Sequence, residues 1–577
     1  MLPMYVDIIP NRKSKPTILI RECWSEGGKT VKETRANITH LPEDLINVII
    51  LYFKEGRSLA PIDEIFAVER SIPHGHVEAI LAMIKNIGLG TVIASKPCWQ
   101  RDYIVAMIAQ RIIDPGSELA TSRMFGTTTL GQELGIKEGN SDKLYKALYW
   151  LAKHQGIIER KLAKSYLGED SLALYDLTSS YYEGRTCSLA QYGHDRDCKK
   201  GLPIIVYGVT TNRNGCPVGV DVFPGNTADA KTLPEQVRKL RHKFGIERIV
   251  LVGDRGLLAS TNIENILKRE GIGWISALRS EGLRGLADDG YIQPSLFDER
   301  NLAEITSPDF PGERLIVCFN PFHADERKRD RESLLAATQK NLIKLQKEVS
   351  RRTRKPMSAE DIAVKYGKII QRHKMEKHII REIADGKFTW KINEESVRRE
   401  EELDGIYVIR TSEPKEKLSA EDAVRNYKRL SQVEQAFRTL KGIDLKVRPI
   451  FHRREDAVRG HIFLCMLAYH VEWHMRKALA PLLYDDEELD ILRDKRDPVA
   501  PAKASASAKR KKATHRTPDG LPVHSFHTLM KELSTRCRNI CKTKNTKAEL
   551  KINILTELTP IQKRAMELIK LHPVAGS

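Results

Sequence analysis

Between Ser171 and Leu278 the chain carries short apolar runs of strand length, first in succession and then alternating with helical spacing. The runs are Leu172–Leu177, Pro203–Thr211, Pro217–Phe223, Arg248–Val252 and Trp274–Leu278, and the patterns Lys231–Lys243 and Thr261–Arg269 separate the last three. Strands followed by strand–helix alternation predict an α/β fold, a mixed sheet with flanking helices. The pattern stops after Leu278 and resumes at Gly405–Arg410 (GIYVIR), followed by a helix from about Ala420 to Lys441. Such a return predicts one domain interrupted by an insertion.

The rest of the 577 residues divides around this unit. Residues 1–97 form a mixed region with β-like runs at Thr17–Ile20 and Val48–Phe53. Residues 98–168 read as helices, with Tyr103, Ile104, Met107, Ile108 and Ile112 at helical spacing and a break at Pro115-Gly116. That segment suits a small helical DNA-binding module and an ordinary helical bundle equally well. The sheet domain is expected over 169–280 and 405–480, with a basic insertion over 281–404. A basic C-terminal region follows over 481–577. Within it, about 493–523 has the Ala, Pro, Ser and Lys content of a linker, and the last fifty residues read as helical.

The formal charge of +19 is localised. Residues 324–391 hold 19 basic and 10 acidic side chains, and residues 494–577 hold 18 and 7, so the remainder is close to neutral. Localised basic surface attracts polyanions, nucleic acid foremost. The longest apolar stretches, such as Ile462–Tyr469, are too short to span a bilayer, so no membrane partner is expected. The first residues show no export pattern, and the nine cysteines are scattered apart from Cys537 and Cys541. Both features predict a reducing, cytoplasmic setting.

Three acids stand where apolar patterns end or are interrupted. Asp176 closes LALYD and Asp254 closes IVLVGD, at the mouth where α/β sheets place ligands. Either alone is equally a turn former or a helix cap. Tyr427, Leu430, Glu434, Phe437 and Lys441 step by three and four, which would place Glu434 in the middle of an apolar helix face. A carboxylate buried there needs compensation, from a salt bridge to Arg438 or Arg429 or from a metal shared with Asp176 and Asp254. Three carboxylates suit Mg²⁺, and two such ions can activate a nucleophile and stabilise a leaving oxygen at a phosphodiester.

Other candidates carry less. HVEWH (His470 to His474) lacks the HExxH order and lies on an apolar stripe, so no zinc site is expected there. Asp229 is expected to cap the helix that follows it, and Asp221 is a neighbouring acid that could be mistaken for a catalytic one. Around Tyr427 there is no His and Arg set that would support a phosphotyrosyl intermediate.

The segments YDLTSSYYEG around Asp176, FPGNTADAKTL at Phe223–Leu233, VLVGDRGL around Asp254 and YKRLSQVEQAFRTLK around Glu434 resemble the DDE transposases of bacterial insertion sequences. The similarity is to the IS-four-like group and its long members with an amino-terminal extension, over roughly residues 100–475. The resemblance implies a ribonuclease-H-like catalytic domain with an insertion between the second Asp and the Glu. Here that insertion reads more helical and basic than the β insertion typical of the family. The family's signature around the Glu is Tyr, Arg at +3, Glu at +7 and Lys at +14. Tyr427, Glu434 and Lys441 match, while +3 is Leu430 and Arg429 lies one position early.

The resemblance further implies that Asp176, Asp254 and Glu434 hold two Mg²⁺ ions, with Mn²⁺ as a substitute. The implied partners are double-stranded DNA, as transposon ends and as target, and a second copy of the chain in an active homodimer. Tyr427, Lys441 and Arg429 become DNA-end contacts. The localised charge itself makes the basic cluster Arg351, Arg352, Arg354 and Lys355 in the insertion a DNA-binding arm. The implied activity is cleavage at terminal inverted repeats and strand transfer, in a bacterial cytoplasm at the nucleoid. The alternatives are a catalytically inactive DNA-binding descendant of such an enzyme and a ribonuclease-H-like nuclease or resolvase.

Overall fold

The computed structural model describes residues 4–11, 15–55, 66–137, 139–168, 171–297, 301–543 and 551–572. Strands β1 (Met4–Ile9), β2 (Thr17–Glu26) and β3 (Lys29–Asn37) form an antiparallel sheet of their own. A helix follows at Glu43–Glu55, so Val48–Phe53 is helical and not β-like. Ile46, Ile49, Ile50 and Phe53 recur at three and four, and the run is long enough for that stripe to prevail. After β4 (Phe66–Pro73) come the helices Gly75–Asn86, Trp99–Ile113 and Ser141–Tyr166. Asn140 caps the last of these by accepting from Lys143 N at 3.0 Å.

The sheet domain begins with β5 (Ser171–Tyr181), β6 (Ile204–Asn212) and β7 (Pro217–Pro224), paired antiparallel in that order. Next come β8 (Ile249–Val252), parallel to β5, and β9 (Gly273–Ala277), parallel to β8. The spatial order β7-β6-β5-β8-β9, three antiparallel strands and then two parallel to the first, is a ribonuclease-H-like sheet. The sheet then continues past the segment expected as an insertion. Strands β10 (Leu302–Ile305) and β11 (Arg314–Phe319) attach through a later strand, which carries the sheet to eight strands.

The rest of that segment packs on a small core of its own. It holds the helix Pro321–Arg351, the helix Ala359–His373, the hairpin β12 (Ile379–Ala384) and β13 (Lys387–Ile392), and the helix Glu394–Glu401. Leu342, Leu345, Ile362, Tyr366 and Phe388 are buried together there. Strand β14 (Ile406–Thr411) returns to the main sheet beside β9, followed by the helices Ala420–Lys428 and Leu430–Lys441.

The helix Glu455–Leu479 is buried on almost every side, against β7 and the helices Ser141–Tyr166 and Trp99–Ile113. Gly460 permits that approach, since a Cβ there would meet the Leu148 carbonyl oxygen at 2.8 Å. The main core therefore runs without a break from Val77 through the sheet to Phe463 and on to Ile569.

Two expectations at the C-terminus are corrected. The stretch read as a linker contains the helix Ala506–Thr514, capped by Ser505. Its Lys511 is buried, with Nζ donating to the carbonyls of Ala480 and Asp485 and to Glu487. A lysine of the stretch read as a linker thus fills a polar socket. The last fifty residues are not all helical, because β15 (Cys537–Thr543) pairs with β4 on one side and β16 (Lys551–Leu555) on the other. β15 and β4 are so far apart in sequence that no local periodicity reveals the pairing. No helix among the described residues is long and apolar enough to cross a membrane, and all nine cysteines are free.

Candidate active site

Strands β5 and β8 run parallel with Leu174 opposite Val252. Asp176 and Asp254 each follow two residues later: Asp176 lies inside β5, which runs on to Tyr181 and so is not closed by it as expected, and Asp254 lies just past the end of β8. Each carboxylate is half-buried and fastened through one oxygen: Asp176 Oδ1 accepts from Leu177 N at 2.8 Å, and Asp254 Oδ1 from Gly256 N at 3.1 Å and Leu257 N at 2.7 Å. Among the described residues the second oxygen of each makes no hydrogen bond. Burial pushes the Asp176 carboxyl up to about 7, against the Leu177 amide, and the negative charges of Asp254 and Glu434 push the same way. All three acids therefore share one electrostatic neighbourhood.

Glu434 reaches it differently from the expectation. The helix Leu430–Lys441 buries Val433, Ala436, Phe437 and Leu440 against the sheet, and Glu434 stands beside that stripe with its side chain 61% exposed. It is not embedded in an apolar face. Tyr427 and Lys441 are not on one unbroken helix either, because the regular helix stops at Lys428 and restarts at Leu430 across a turn at Arg429. Glu434 has Arg438 at 3.7 Å, an exposed pair of little energetic weight.

Tyr427 is brought to the acids. Its phenol is pushed up to about 12, by burial first and then by Asp254, with Asp176 and Glu434 contributing. Lys441 takes Asp197 at 2.8 Å, and Arg448 binds the same carboxylate. Arg429 is not at the acids: its buried guanidinium points to Asp494 at 2.6 Å and to the Arg213 carbonyl at 3.2 Å. Arg351, Arg352, Arg354 and Lys355 lie exposed at the end of the helix Pro321–Arg351 and in the turn after it, with Arg352 paired to Glu348 at 3.2 Å. No described contact joins them to the acids.

Arg196 is a residue that sequence reasoning passed over. Its charge acts on Asp176, and it holds Asp229 through two contacts of 2.7 and 2.6 Å. Asp229 is thus an ion-pair partner, and Ala228 occupies the cap position instead. The dense charge of HDRDCKK between two strands is the signal that could have found both Arg196 and Asp197. Asp221 is set apart from Asp176, Asp254 and Glu434 by its buried pair with Lys239 at 3.0 Å. His470 and His474, dismissed as a metal pair, do meet a thiol: Cys216 Sγ lies 3.6 Å from His470 Nδ1 and 3.9 Å from His474 Nε2. Those nitrogens also have Pro217 O at 2.8 Å and Tyr166 Oη at 2.9 Å, so the cluster is satisfied within the fold.

The donor set fits a divalent metal. The three carboxylates act on one another, two of them with an oxygen free of hydrogen bonds among the described residues, and their mutual repulsion is what a hard cation with oxygen ligands relieves.

Comparison with known proteins supplies the family. The model of the transposase DDE domain matches residues 174–471, a span that contains all three acids. Solved structures similar to this chain include the cryo-EM structure of a piggyBac transposase synaptic complex with hairpin DNA. Identity to it is 10% and the TM-score 0.32, over 78% of this chain and 93% of that one. No curated protein matches. The chain belongs to the transposase family defined by the DDE domain.

Proposed function

We propose that this DDE transposase binds the terminal inverted repeats of an insertion sequence, cleaves there by metal-dependent hydrolysis, and joins the freed 3′-OH to target DNA. The observation that carries the reading is the mutual electrostatic influence of Asp176, Asp254 and Glu434 within the span that matches the DDE domain. These three residues would hold Mg²⁺, as two ions, with Mn²⁺ able to replace it. Bound there, the metal supplies Lewis-acid activation of water or a 3′-OH and charge stabilisation at the phosphodiester.

The chain's own residues do the rest. The Leu177, Gly256 and Leu257 amides fix one oxygen of each aspartate and so aim the other. The β5–β8 pairing anchors Asp176 within β5 and Asp254 just past β8, and Glu434 on an exposed helix flank leaves the site open to a duplex. Tyr427 lines the acids, where its neutral phenol can donate to a phosphate oxygen. Lys441 would contact the DNA end from its place beside Asp197, whereas Arg429 would have to leave Asp494. No covalent protein–DNA intermediate is needed. The IS-four-like group, a homodimer pairing two ends and a bacterial cytoplasmic setting complete the reading.

The test is nicking of DNA carrying the element's own ends, with Mg²⁺ or Mn²⁺. Activity lost in Asp176→Asn, Asp254→Asn and Glu434→Gln while DNA binding persists supports it. Nicking that survives all three removes the site, and cleavage of branched DNA without regard to ends favours a resolvase.

A further inference from the structure

Away from the three acids, a second cluster of ligating atoms joins the N-terminal helices to the helix Glu455–Leu479. Glu118 opens the helix Glu118–Met124, His452 precedes the long helix, and His461 lies within it. Glu118 Oε1 is 3.5 Å from His452 Nε2 and 4.0 Å from His461 Nδ1, and one ligand atom from each residue lies within 4.8 Å of the others.

The protonation pattern is informative. His461 Nε2 lies 3.0 Å from the Val447 carbonyl, so it carries the proton and leaves the lone pair on Nδ1. That Nδ1 and Glu118 Oε1 are both buried without a hydrogen-bond partner among the described residues. Burial keeps the His461 ring neutral, while the neighbouring His452 and Arg111 hold the Glu118 carboxyl ionised against its own burial. Two buried acceptors thus face each other, an arrangement that costs free energy unless something positive lies between them. Arg111 also faces this cluster, so the carboxylate is shared between a guanidinium and the imidazoles.

The imidazole orientation matches that of a metal ligand whose other nitrogen donates to a backbone carbonyl. Two imidazoles and one carboxylate suit a borderline divalent ion better than Mg²⁺. A cavity of about 650 Å³, lined by the same three residues with Arg111, Tyr145 and Arg448, gives access. The Cys216 cluster differs, because its nitrogens already have partners.

We propose that Glu118, His452 and His461 form a binding site for a zinc-class cation, separate from Asp176, Asp254 and Glu434, that pins the segment Glu118–Met124 to the helix Glu455–Leu479.

The test uses the full chain carrying Asp176→Asn, Asp254→Asn and Glu434→Gln, so that the proposed catalytic acids cannot contribute. After equilibrium dialysis with Zn²⁺, one ion per chain is expected, with affinity reduced at least about tenfold by Glu118→Gln and by His461→Ala. Glu118→Gln is nearly isosteric, and unchanged melting without metal shows that it folds. Cys216→Ser is expected to retain the ion. Loading with Co²⁺ is expected to give ligand-field bands without thiolate charge transfer. Absence of zinc, zinc retained by both ligand variants, zinc lost in Cys216→Ser, or a thiolate band would each overturn the site.

Discussion

Asp176 and Asp254 each lie two residues beyond the paired Leu174 and Val252, Asp176 within β5 and Asp254 just past the end of β8. Burial above all, and then the neighbouring charge of Asp254, raises the Asp176 carboxyl to about 7. Without metal the arrangement costs stability, so Asp176→Asn is expected to raise the melting temperature of the metal-free protein while reducing nicking to background. Mg²⁺ is expected to stabilise the native chain and not the variant. Calorimetry with and without metal checks both, and a variant that melts lower would contradict the account.

The sheet was legible because local rules write it, in short apolar runs of strand length; of the two aspartates only Asp254 follows the end of its strand, because β5 continues through Asp176 to Tyr181. Glu434 was legible as a residue but not in its setting. Its three-and-four spacing with Leu430 and Phe437 missed that the buried stripe of this helix is centred on Val433, Ala436 and Leu440, which leaves Glu434 at its edge. The β4–β15 pairing, the socket around Lys511 and the meeting of Glu118 with His452 join residues remote in sequence. Nothing in the local pattern encodes such partners.

Lys239 ties the helical region to the catalytic sheet. Its ammonium lies 3.0 Å from both Glu159 and Asp221, and all three side chains are nearly inaccessible. Lys239→Met would leave two buried carboxylates facing each other. The expected loss is about 3–5 kcal/mol, measured by denaturant unfolding. Combining it with Glu159→Gln and Asp221→Asn should recover much of that loss, because the uncompensated charges are gone.

His470 makes part of the fold acid-sensitive. Burial lowers its ring from 6.5 to about 4, opposed by the Pro217 carbonyl. Between those values the unfolded chain takes up a proton that the folded chain refuses, so stability falls as pH drops through this window. The slope for one group reaches roughly 1.4 kcal/mol per pH unit. His470→Gln, which can still donate to Pro217, should flatten the melting profile between pH 6.5 and 4. An unchanged profile would assign the acid sensitivity to other groups.

The basic cluster at the end of the helix Pro321–Arg351 tests whether localised charge acts on DNA. Arg351, Arg352, Arg354 and Lys355 are exposed on a subdomain with its own core, so neutralising them should leave the sheet and its acids intact. If all four neutralise phosphates, replacing them with Gln should make the slope of log binding constant against log salt shallower by about 3–4. Arg352 is already paired with Glu348, which places its share at the lower end. Titration of duplex DNA at several salt concentrations gives the slope directly. The same slope in variant and native chains would make this cluster an ordinary solvated surface and leave the C-terminal basic region as the source of affinity.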